Sequence, residues 1–157
     1  MRTEEKIGQI LIERGMTVST AESCTGGLLS SKLTDVSGSS AYIRLNLVTY
    51  ANEAKNAMLR VPLEVLNTFG AVSEECAYNM AKGLYELTNS DICVSTTGIA
   101  GPTGGTADKP VGLMYSAIYT PDKSKVYRIN VDSTLPRTEI KEQFVQKVLE
   151  NILEFIG

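Results

Sequence analysis

The chain has 157 residues, 43% of them apolar and 21% charged, which suits one compact soluble domain with its own core. Fifteen basic residues against eighteen acidic ones give a net charge of −3, which is not the basic footprint of a nucleic-acid-binding protein. No apolar run has the length of a transmembrane helix and no signal-peptide pattern is present, so we expect no membrane partner.

The first sixty residues alternate between helix and strand signals. Apolar residues recur at helical spacing until Gly15, and a stretch rich in β-branched residues follows. After the turn ESCTGG, a leucine-rich helical segment runs to a break at SGSS. The predicted elements are a helix over 3–15, a strand over 16–21, a helix from about 26, a strand over 41–50 and a helix over 52–59.

The rest of the chain continues this alternation and closes with a strand pair. Pro62 is predicted as the first residue of a helix that stops at Gly70, and Ser73 as the N-cap of the next helix. The remaining predicted elements are a helix from 74, an apolar strand over 91–98, two strands over 113–119 and 125–131 joined by the turn TPDKS, and a final helix over 136–156.

This order of elements predicts a single α/β domain over 1–157, a three-layer α/β/α sandwich around a mixed, mostly parallel sheet. The closing strand pair is predicted to be antiparallel. Ligands of such sheets bind beyond the carboxyl ends of the strands. The turns after Ala21, Tyr50 and Thr97 are therefore the predicted places for a binding site.

The cysteine and histidine content limits which cellular compartment and which metal sites can be expected. The three cysteines are odd in number and widely spaced, which argues against a disulfide framework, so we expect a reducing, cytoplasmic environment. The chain contains no histidine, which excludes the usual zinc sites. No cluster of acidic residues indicates a magnesium site.

The turn TAESCTGG places Ser23 where an exposed nucleophile can stand. The adjacent Gly26 and Gly27 let the backbone approach a ligand, and N–H groups from Thr25 onward can stabilise an oxyanion or bind phosphate. A simpler interpretation is that Ser23 or Thr25 only caps the following helix. Cys24 is a rival nucleophile, but no histidine is present to serve as its partner.

Without histidine, the proton of Ser23 needs another acceptor. VTYANEAK puts Tyr50 and Lys55 on either side of a strand-to-helix turn, from which both side chains can reach one crevice. A lysine desolvated in such a crevice can act as a base, and serine–lysine pairs are a known variant of the catalytic triad. The alternative is a half-buried strand tyrosine and a solvated helix lysine. We predict Lys55 as the base, assisted by the phenol of Tyr50.

The third turn, TGIAGPTGG, is dense in glycine and follows an apolar strand. It matches neither phosphate-loop template, but its position favours a cradle for a phosphate or sugar over a flexible surface loop. Lys109, in DKPVG, is a second candidate cation for the site. The predicted binding residues in this stretch are Thr97, Gly98, Gly101, Gly104, Gly105 and Lys109.

Five motifs occur in a fixed order: TAESCTGGLL, GSSAY, VTYANEAK, GAVSEECAYNMAKG and TGIAGPTGGTADKPVG. In this order they resemble the C-terminal domain of the competence-damage-inducible (CinA) protein family, which includes stand-alone nicotinamide mononucleotide deamidases. The resemblance runs roughly from Met16 to Tyr119. It implies an α/β/α fold and hydrolysis of the carboxamide of nicotinamide mononucleotide to nicotinate mononucleotide and ammonia. It also implies no metal or organic cofactor, and a homodimer or higher homo-oligomer.

The resemblance implies a serine nucleophile at Ser23, with partners at Tyr50 and Lys55. Two stretches depart from the family pattern. Asn46 stands where many relatives have glycine, and INVDSTLPR replaces a Phe-x-Gly-Asp-Arg pattern, which leaves Arg137 as the best match for a phosphate-binding arginine. The alternative to an enzyme is a binding module of this family that senses a nucleotide without turning it over.

Overall fold

The structure, a computed structural model, describes residues 1–157 and contains one five-stranded sheet. Its strands are β1 (Val18–Glu22), β2 (Ile43–Val48), β3 (Ile92–Gly98), β4 (Leu113–Tyr119) and β5 (Ser124–Asn130). They lie in the order β2-β1-β3-β4-β5. β1 is parallel to β2 and β3, while β4 is antiparallel to β3 and β5, so four of the five strands share one direction. The predicted mixed, mostly parallel sheet is confirmed.

Helices cover both faces of this sheet and give the predicted three-layer sandwich. They are α1 (Thr3–Arg14), α2 (Leu28–Thr34), α3 (Asn52–Leu59), α4 (Leu63–Thr68), α5 (Glu74–Thr88) and α6 (Arg137–Ile156). One apolar cluster joins α1, α2 and α6 to the sheet, and a second joins α3, α4 and α5 to it. None of the helices combines the length and the apolarity that a bilayer crossing needs.

Several predicted boundaries differ from the structure by one or two residues, and two of them have a clear local cause. The second strand, predicted over 41–50, spans Ile43–Val48, because Ala41 is the last residue of a 3₁₀ turn at Ser39–Ala41. Gly38 leads into that turn with a φ of 87°, a conformation that glycine adopts without strain. Pro62 precedes α4 and is not its first residue, because its ψ of 136° is extended.

The parallel strands bring three turns to one edge of the sheet. β1, β2 and β3 run in the same direction, with Glu22 beside Val48 in the register. The segments that follow these strands are therefore neighbours in space, as expected for a ligand-binding edge. They carry Ser23, Tyr50 and the glycine-rich loop that begins after Gly98.

The contact between α3 and α5 depends on a glycine. Gly83 is buried on α5, and a methyl group at this position would overlap the carbonyl oxygen of Leu59, the last residue of α3. The backbones of the two helices therefore touch directly. This contact fixes the position of α3, the helix that carries Lys55.

Gly83→Ala is expected to lower the free energy of unfolding by about 2 kcal/mol. Strain from forcing the α3 backbone away costs about 3 kcal/mol, and the better helix propensity of alanine offsets about 1 kcal/mol of that. Urea unfolding followed by circular dichroism measures the change. Lys82→Ala, at the exposed neighbouring position, is the control and should stay within about 0.5 kcal/mol of the parent. Equal stability of the two variants would contradict this account of the contact.

Candidate active site

Ser23 is the first residue after β1, at the carboxyl edge of the sheet. The Nζ atom of Lys55 lies 3.0 Å from the Oγ atom of Ser23 and 2.8 Å from the carbonyl oxygen of Tyr50. Only 6% of Ser23 and 1% of Lys55 remain exposed. The structure thus brings the predicted nucleophile and the predicted base into direct contact, at a distance typical of such pairs.

Helix α3 holds Lys55 against this serine. The helix begins at Asn52, so Lys55 lies in its first turn, and its side chain reaches inward to Ser23. No carboxylate forms an ion pair with it, and burial lowers the pKa of Lys55 below its ordinary value of 10.5. The alternative of a solvated helix lysine is therefore wrong. Burial alone lowers this pKa, without a contribution from a second cation.

Tyr50 contacts the pair through its main chain. Its carbonyl oxygen accepts the hydrogen bond from Lys55, while the exposed phenol accepts one from the Nη2 atom of Arg137 at 3.0 Å. The expectation that the phenol bridges serine and lysine is corrected by this geometry. The physical reason is that Tyr50 lies beyond the end of β2, where its carbonyl faces the first turn of α3 and its side chain points to α6.

Cys24 is not a competing nucleophile in this structure. It is 5% exposed, and burial raises the pKa of its thiol to about 12. Because the thiolate is the reactive form, Cys24 stays protonated and unreactive at neutral pH. This leaves Ser23 as the candidate nucleophile of the turn.

The N–H groups of the two glycines in this turn form hydrogen bonds within the protein. The N–H of Gly26 donates to the carbonyl three residues before it at 3.1 Å, and that of Gly27 donates to the Oε1 atom of Glu22 at 3.3 Å. These two groups therefore do not supply the predicted donors for an oxyanion or phosphate. The N–H groups of Cys24 and Thr25 have no partner within the chain. Sequence reasoning missed Glu22, although its place beside the nucleophile was a signal.

Close packing accounts for most glycines of the third turn. A Cβ atom on Gly98 would lie 2.6 Å from the first carbonyl oxygen of β4, and one on Gly105 would lie 2.8 Å from the backbone nitrogen of Val111. A side chain on Gly101 would overlap the Val111 side chain, and Gly104 alone lies open, with a φ of 91°. The packing of the loop requires these glycines, so their number does not by itself indicate a phosphate cradle.

Two polar groups predicted to face the ligand are engaged elsewhere. The Oγ1 atom of Thr97 donates to the carbonyl of Ala71 at 2.7 Å, and this threonine is 1% exposed. The Nζ atom of Lys109 donates to the carbonyl of Phe69, just after α4. Neither residue hydrogen-bonds to the serine–lysine pair. The structure therefore does not bring Thr97 and Lys109 into the site.

Helix α6 places two cations at the rim of the site. The guanidinium of Arg137 donates to the carbonyl of Gly101 at 2.6 Å and to the phenol of Tyr50 at 3.0 Å. One turn later, the Nζ atom of Lys141 lies 3.5 Å from where a Cβ atom on Gly26 would be, and it has no ion-pair partner. It lines a cavity of about 360 Å³ beside the Gly26 turn. Arg137 and Lys141 are called the α6 cation pair below.

Sequence reasoning predicted one member of this pair and missed the other. Arg137 is the predicted match for a phosphate-binding arginine, and its hydrogen bonds join it to both the second and the third turn. Lys141 follows four residues later, and that spacing puts two side chains on the same helix face. The spacing was therefore the available signal for Lys141.

Fold and site together define a three-layer α/β protein with a buried serine–lysine pair at the carboxyl edge of its sheet. Nowhere do three histidine, cysteine or carboxylate side chains come together as a metal site would require. The arrangement offers a hydroxyl, an amine that can accept its proton, and two cations at the rim. These are the groups that acyl transfer from an anionic substrate needs.

The chain belongs to the CinA C-terminal domain family, whose sequence profile matches residues 1–156. It is 47% identical over 159 residues to a CinA-like protein of Chloroherpeton thalassium, a match that covers all of this chain and 38% of that relative. A CinA-like protein of Chlorobium limicola is 54% identical over 111 residues, covering 71% of this chain and 26% of that relative. The chain therefore spans well under half the length of the curated relatives it matches.

Solved structures of the same family share the fold. The competence/damage inducible protein CihA from Agrobacterium tumefaciens is 40% identical with a TM-score of 0.90, and the match covers 98% of this chain and 96% of that one. A CinA superfamily protein from Klebsiella pneumoniae is 31% identical with a TM-score of 0.93, covering 98% and 95% of the two chains. The resemblance seen in the five motifs is thus confirmed.

The lowered pKa of Lys55 predicts a direct observation. The ¹³Cε resonance of Lys55 should titrate with a midpoint below 10.5, because burial disfavours the ammonium form. The spectrum of Lys55→Arg identifies the signal. In urea, where the chain is unfolded, the titration midpoint of this resonance should return to about 10.4. The unfolded chain then binds more protons between the two midpoints, so this lysine should make folding more favourable as pH rises through that window. A folded-state midpoint at or above 10.5 would contradict the geometry.

Proposed function

We propose that the protein is an amidohydrolase that converts nicotinamide mononucleotide to nicotinate mononucleotide and ammonia. The observation that carries this proposal is the 3.0 Å contact between the Ser23 hydroxyl and the buried amine of Lys55. A serine needs a base to become a nucleophile, and a desolvated lysine is a base that works without histidine. The choice of substrate rests on the resemblance of the five motifs to nicotinamide mononucleotide deamidases.

In this proposal Lys55 acts in its neutral form. In the structure the Nζ atom of Lys55 donates to the carbonyl of Tyr50 at 2.8 Å and to the Oγ atom of Ser23 at 3.0 Å. When the amine is neutral, one N–H group keeps the bond to Tyr50, and the lone pair can accept the proton of the Ser23 hydroxyl. The Oγ atom of Ser23 attacks the carboxamide carbon as its proton passes to Lys55. The products of this step are a tetrahedral oxyanion and a lysine ammonium. The Tyr50 carbonyl thus takes the orienting part that a carboxylate plays in the serine triad.

The N–H groups of Cys24 and Thr25 are the proposed donors to the oxyanion. They follow the nucleophile directly and have no partner within the chain. The N–H of the residue after the nucleophile serves this purpose in other serine hydrolases. Loss of one such donor typically lowers kcat by about 10²–10³-fold, so this pair is a substantial part of the proposed catalysis.

Collapse of the tetrahedral species breaks the carbon–nitrogen bond. The proton held by Lys55 passes to the departing nitrogen, which leaves as ammonia, and the acyl group remains on Ser23. A water molecule then attacks the acyl carbon and gives its proton to Lys55. The second collapse returns that proton to the Oγ atom of Ser23 and releases the carboxylic acid, which gives its own proton to ammonia or solvent and becomes the carboxylate. One water is consumed, and both side chains end unchanged.

The α6 cation pair is proposed to hold the phosphate of the nucleotide. Arg137, beside the Tyr50 phenol, and Lys141, over Gly26, flank the turn that carries Ser23. A guanidinium binds phosphate through two parallel hydrogen bonds, and an ammonium binds it as a point charge. The chain as a whole has a net charge of −3, and neither Arg137 nor Lys141 has an ion-pair partner. Two such cations at this rim are therefore a local feature that the overall composition does not explain.

Purified protein should release ammonia from nicotinamide mononucleotide in a coupled assay, with nicotinate mononucleotide identified by chromatography. Ser23→Ala and Lys55→Arg should each lower kcat by at least about 10³-fold. The arginine keeps the positive charge but does not give up its proton. Tyr50→Phe keeps the orienting carbonyl and should retain more kcat than either variant.

The pH profile of the wild-type enzyme is a second readout of the same mechanism. Because only the neutral amine accepts the proton, kcat/KM should fall as pH drops through the lowered pKa of Lys55 and level off above it. Nucleotide binding without ammonia release would contradict the amidohydrolase and favour the sensing module.

The phosphate assignment predicts a change in substrate preference. Arg137→Ala and Lys141→Met should each raise KM for nicotinamide mononucleotide by about 10–100-fold, the value of a hydrogen bond to a charged group. kcat should change little, since this binding is the same in ground state and transition state. KM for nicotinamide riboside, which lacks the phosphate, should not change. Lys147→Met, at an exposed position of α6, is the matched control. An unchanged ratio of the KM values for the two substrates in both Arg137→Ala and Lys141→Met would contradict the assignment.

A further inference from the structure

Glu22 is a buried carboxylate that the proposed chemistry does not use. It is the last residue of β1, it is fully buried beside Ser23, and no lysine or arginine forms an ion pair with it. Its two oxygens accept five hydrogen bonds, all from the segment that follows Ser23. The donors to Oε1 are the Thr25 hydroxyl (2.6 Å) and the N–H groups of Gly27 (3.3 Å) and Leu29 (2.9 Å), and the donors to Oε2 are the N–H (2.9 Å) and the hydroxyl (2.5 Å) of Ser30.

These bonds fix the path of residues 25–30. A carboxylate removed from water is tolerated only while its lone pairs are satisfied, and here the turn and the start of α2 supply every donor. Any other conformation of the turn would leave Glu22 buried without partners. The carboxylate therefore specifies the one turn conformation in which Ser23 meets Lys55.

A chain of hydrogen bonds also links Glu22 to the backbone of Ser23. The hydroxyl of Thr25 gives its proton to Glu22, so the hydroxyl of Thr96, 2.8 Å away, must donate to Thr25. The oxygen of Thr96 is then free to accept the N–H of Ser23 at 3.4 Å. The three bonds point the same way and end on the carboxylate, an arrangement in which each bond polarises the next.

Polar side chains also lie between Glu22 and the edge strand β2. The hydroxyl of Ser30, which donates to Glu22, lies 2.9 Å from the hydroxyl of Thr20. Thr20 gives its one proton to the Oδ1 atom of Asn46 at 2.8 Å, so the Ser30 and Thr20 hydroxyls are in contact without a hydrogen bond between them. Asn46 is the residue that departs from the glycine of many relatives. In this chain its side chain accepts from Thr20 and so connects β2, which leads to Tyr50, with β1, which leads to the nucleophile.

We propose that Glu22 is a positioning residue for the reaction of Ser23. It engages the N–H of Gly27 and the first N–H groups of α2, and it leaves the N–H groups of Cys24 and Thr25 as the unpaired donors beside the nucleophile. It acts through the turn and touches no substrate. The inference rests on the proposed function only in taking Ser23 as the nucleophile.

The test compares Glu22→Gln with Glu4→Gln, the same change at a buried glutamate of α1 outside the site. A glutamine amide cannot accept on its NH₂ side, so one group of donors loses its partner. Labelling by phenylmethylsulfonyl fluoride measures the reactivity of Ser23 without any nucleotide. Glu22→Gln should react at least about tenfold more slowly than wild type, and kcat for nicotinamide mononucleotide should fall about 10–100-fold with KM unchanged. Glu22→Asp, which keeps the charge, should be intermediate, and Glu4→Gln should match wild type.

A second variant covers the case in which Glu22→Gln does not fold. Thr96→Val is close in shape and keeps all five bonds to Glu22, but it removes the acceptor of the Ser23 N–H and the donor to the Thr25 hydroxyl. It should slow labelling of Ser23 at least about threefold, with KM unchanged. Wild-type labelling rates in both variants, or a rise in KM at constant kcat, would overturn the inference.

The same experiment separates this inference from the choice of substrate. If wild-type Ser23 is labelled but nicotinamide mononucleotide is not hydrolysed, the substrate is wrong, and slower labelling of Glu22→Gln still supports the positioning role. If wild-type Ser23 is not labelled at all, the positioning role is overturned together with the amidohydrolase.

Discussion

The site depends on one interaction, the contact between the Lys55 amine and the Ser23 hydroxyl away from water. Desolvation disfavours the ammonium form. The burial of this lysine therefore lowers the stability of the fold, but it also makes the amine available as a base. The order of strands makes such burial possible. β2 lies beside β1, and α3, which follows β2, is pressed onto α5 at Gly83 and closes over the strand ends. Other positions of α3, such as Glu53 and Met58, remain exposed.

The second constraint is the competition for hydrogen-bond donors at the turn. In a phosphate-binding glycine turn, the backbone N–H groups face the ligand. Here the N–H of Gly27 faces the carboxylate of Glu22, which is part of the protein. The turn therefore holds the nucleophile rigidly and has fewer donors for an external anion. Under the proposed function, the phosphate must be held by side chains instead, and Arg137 and Lys141 are the cations at that rim.

The fold and the central pair could be predicted because both depend on local signals. Alternating strand and helix patterns specify the layers, and the absence of histidine left Lys55 as the base in reach of Ser23. The partners of polar groups could not be predicted, because they depend on which segment packs beside them. Thr97 bonds to a carbonyl before α5, and nothing in its own strand indicates that contact. Glu22 belongs to the predicted turn ESCTGG, and the hydrogen bonds that it accepts depend on how that turn folds back onto it.

The charges of the proposed reactants act on Lys55 in opposite directions before and after the reaction. Nicotinamide mononucleotide carries a positive pyridinium ring next to its carboxamide, and a cation near the amine disfavours the ammonium form. Bound substrate would thus add to the effect of burial and support the neutral base. Hydrolysis replaces the neutral amide with a carboxylate at the same place, which favours the ammonium form. Since Lys55 has no carboxylate of its own to pair with, the protonation state of the base follows the chemical state of the ligand.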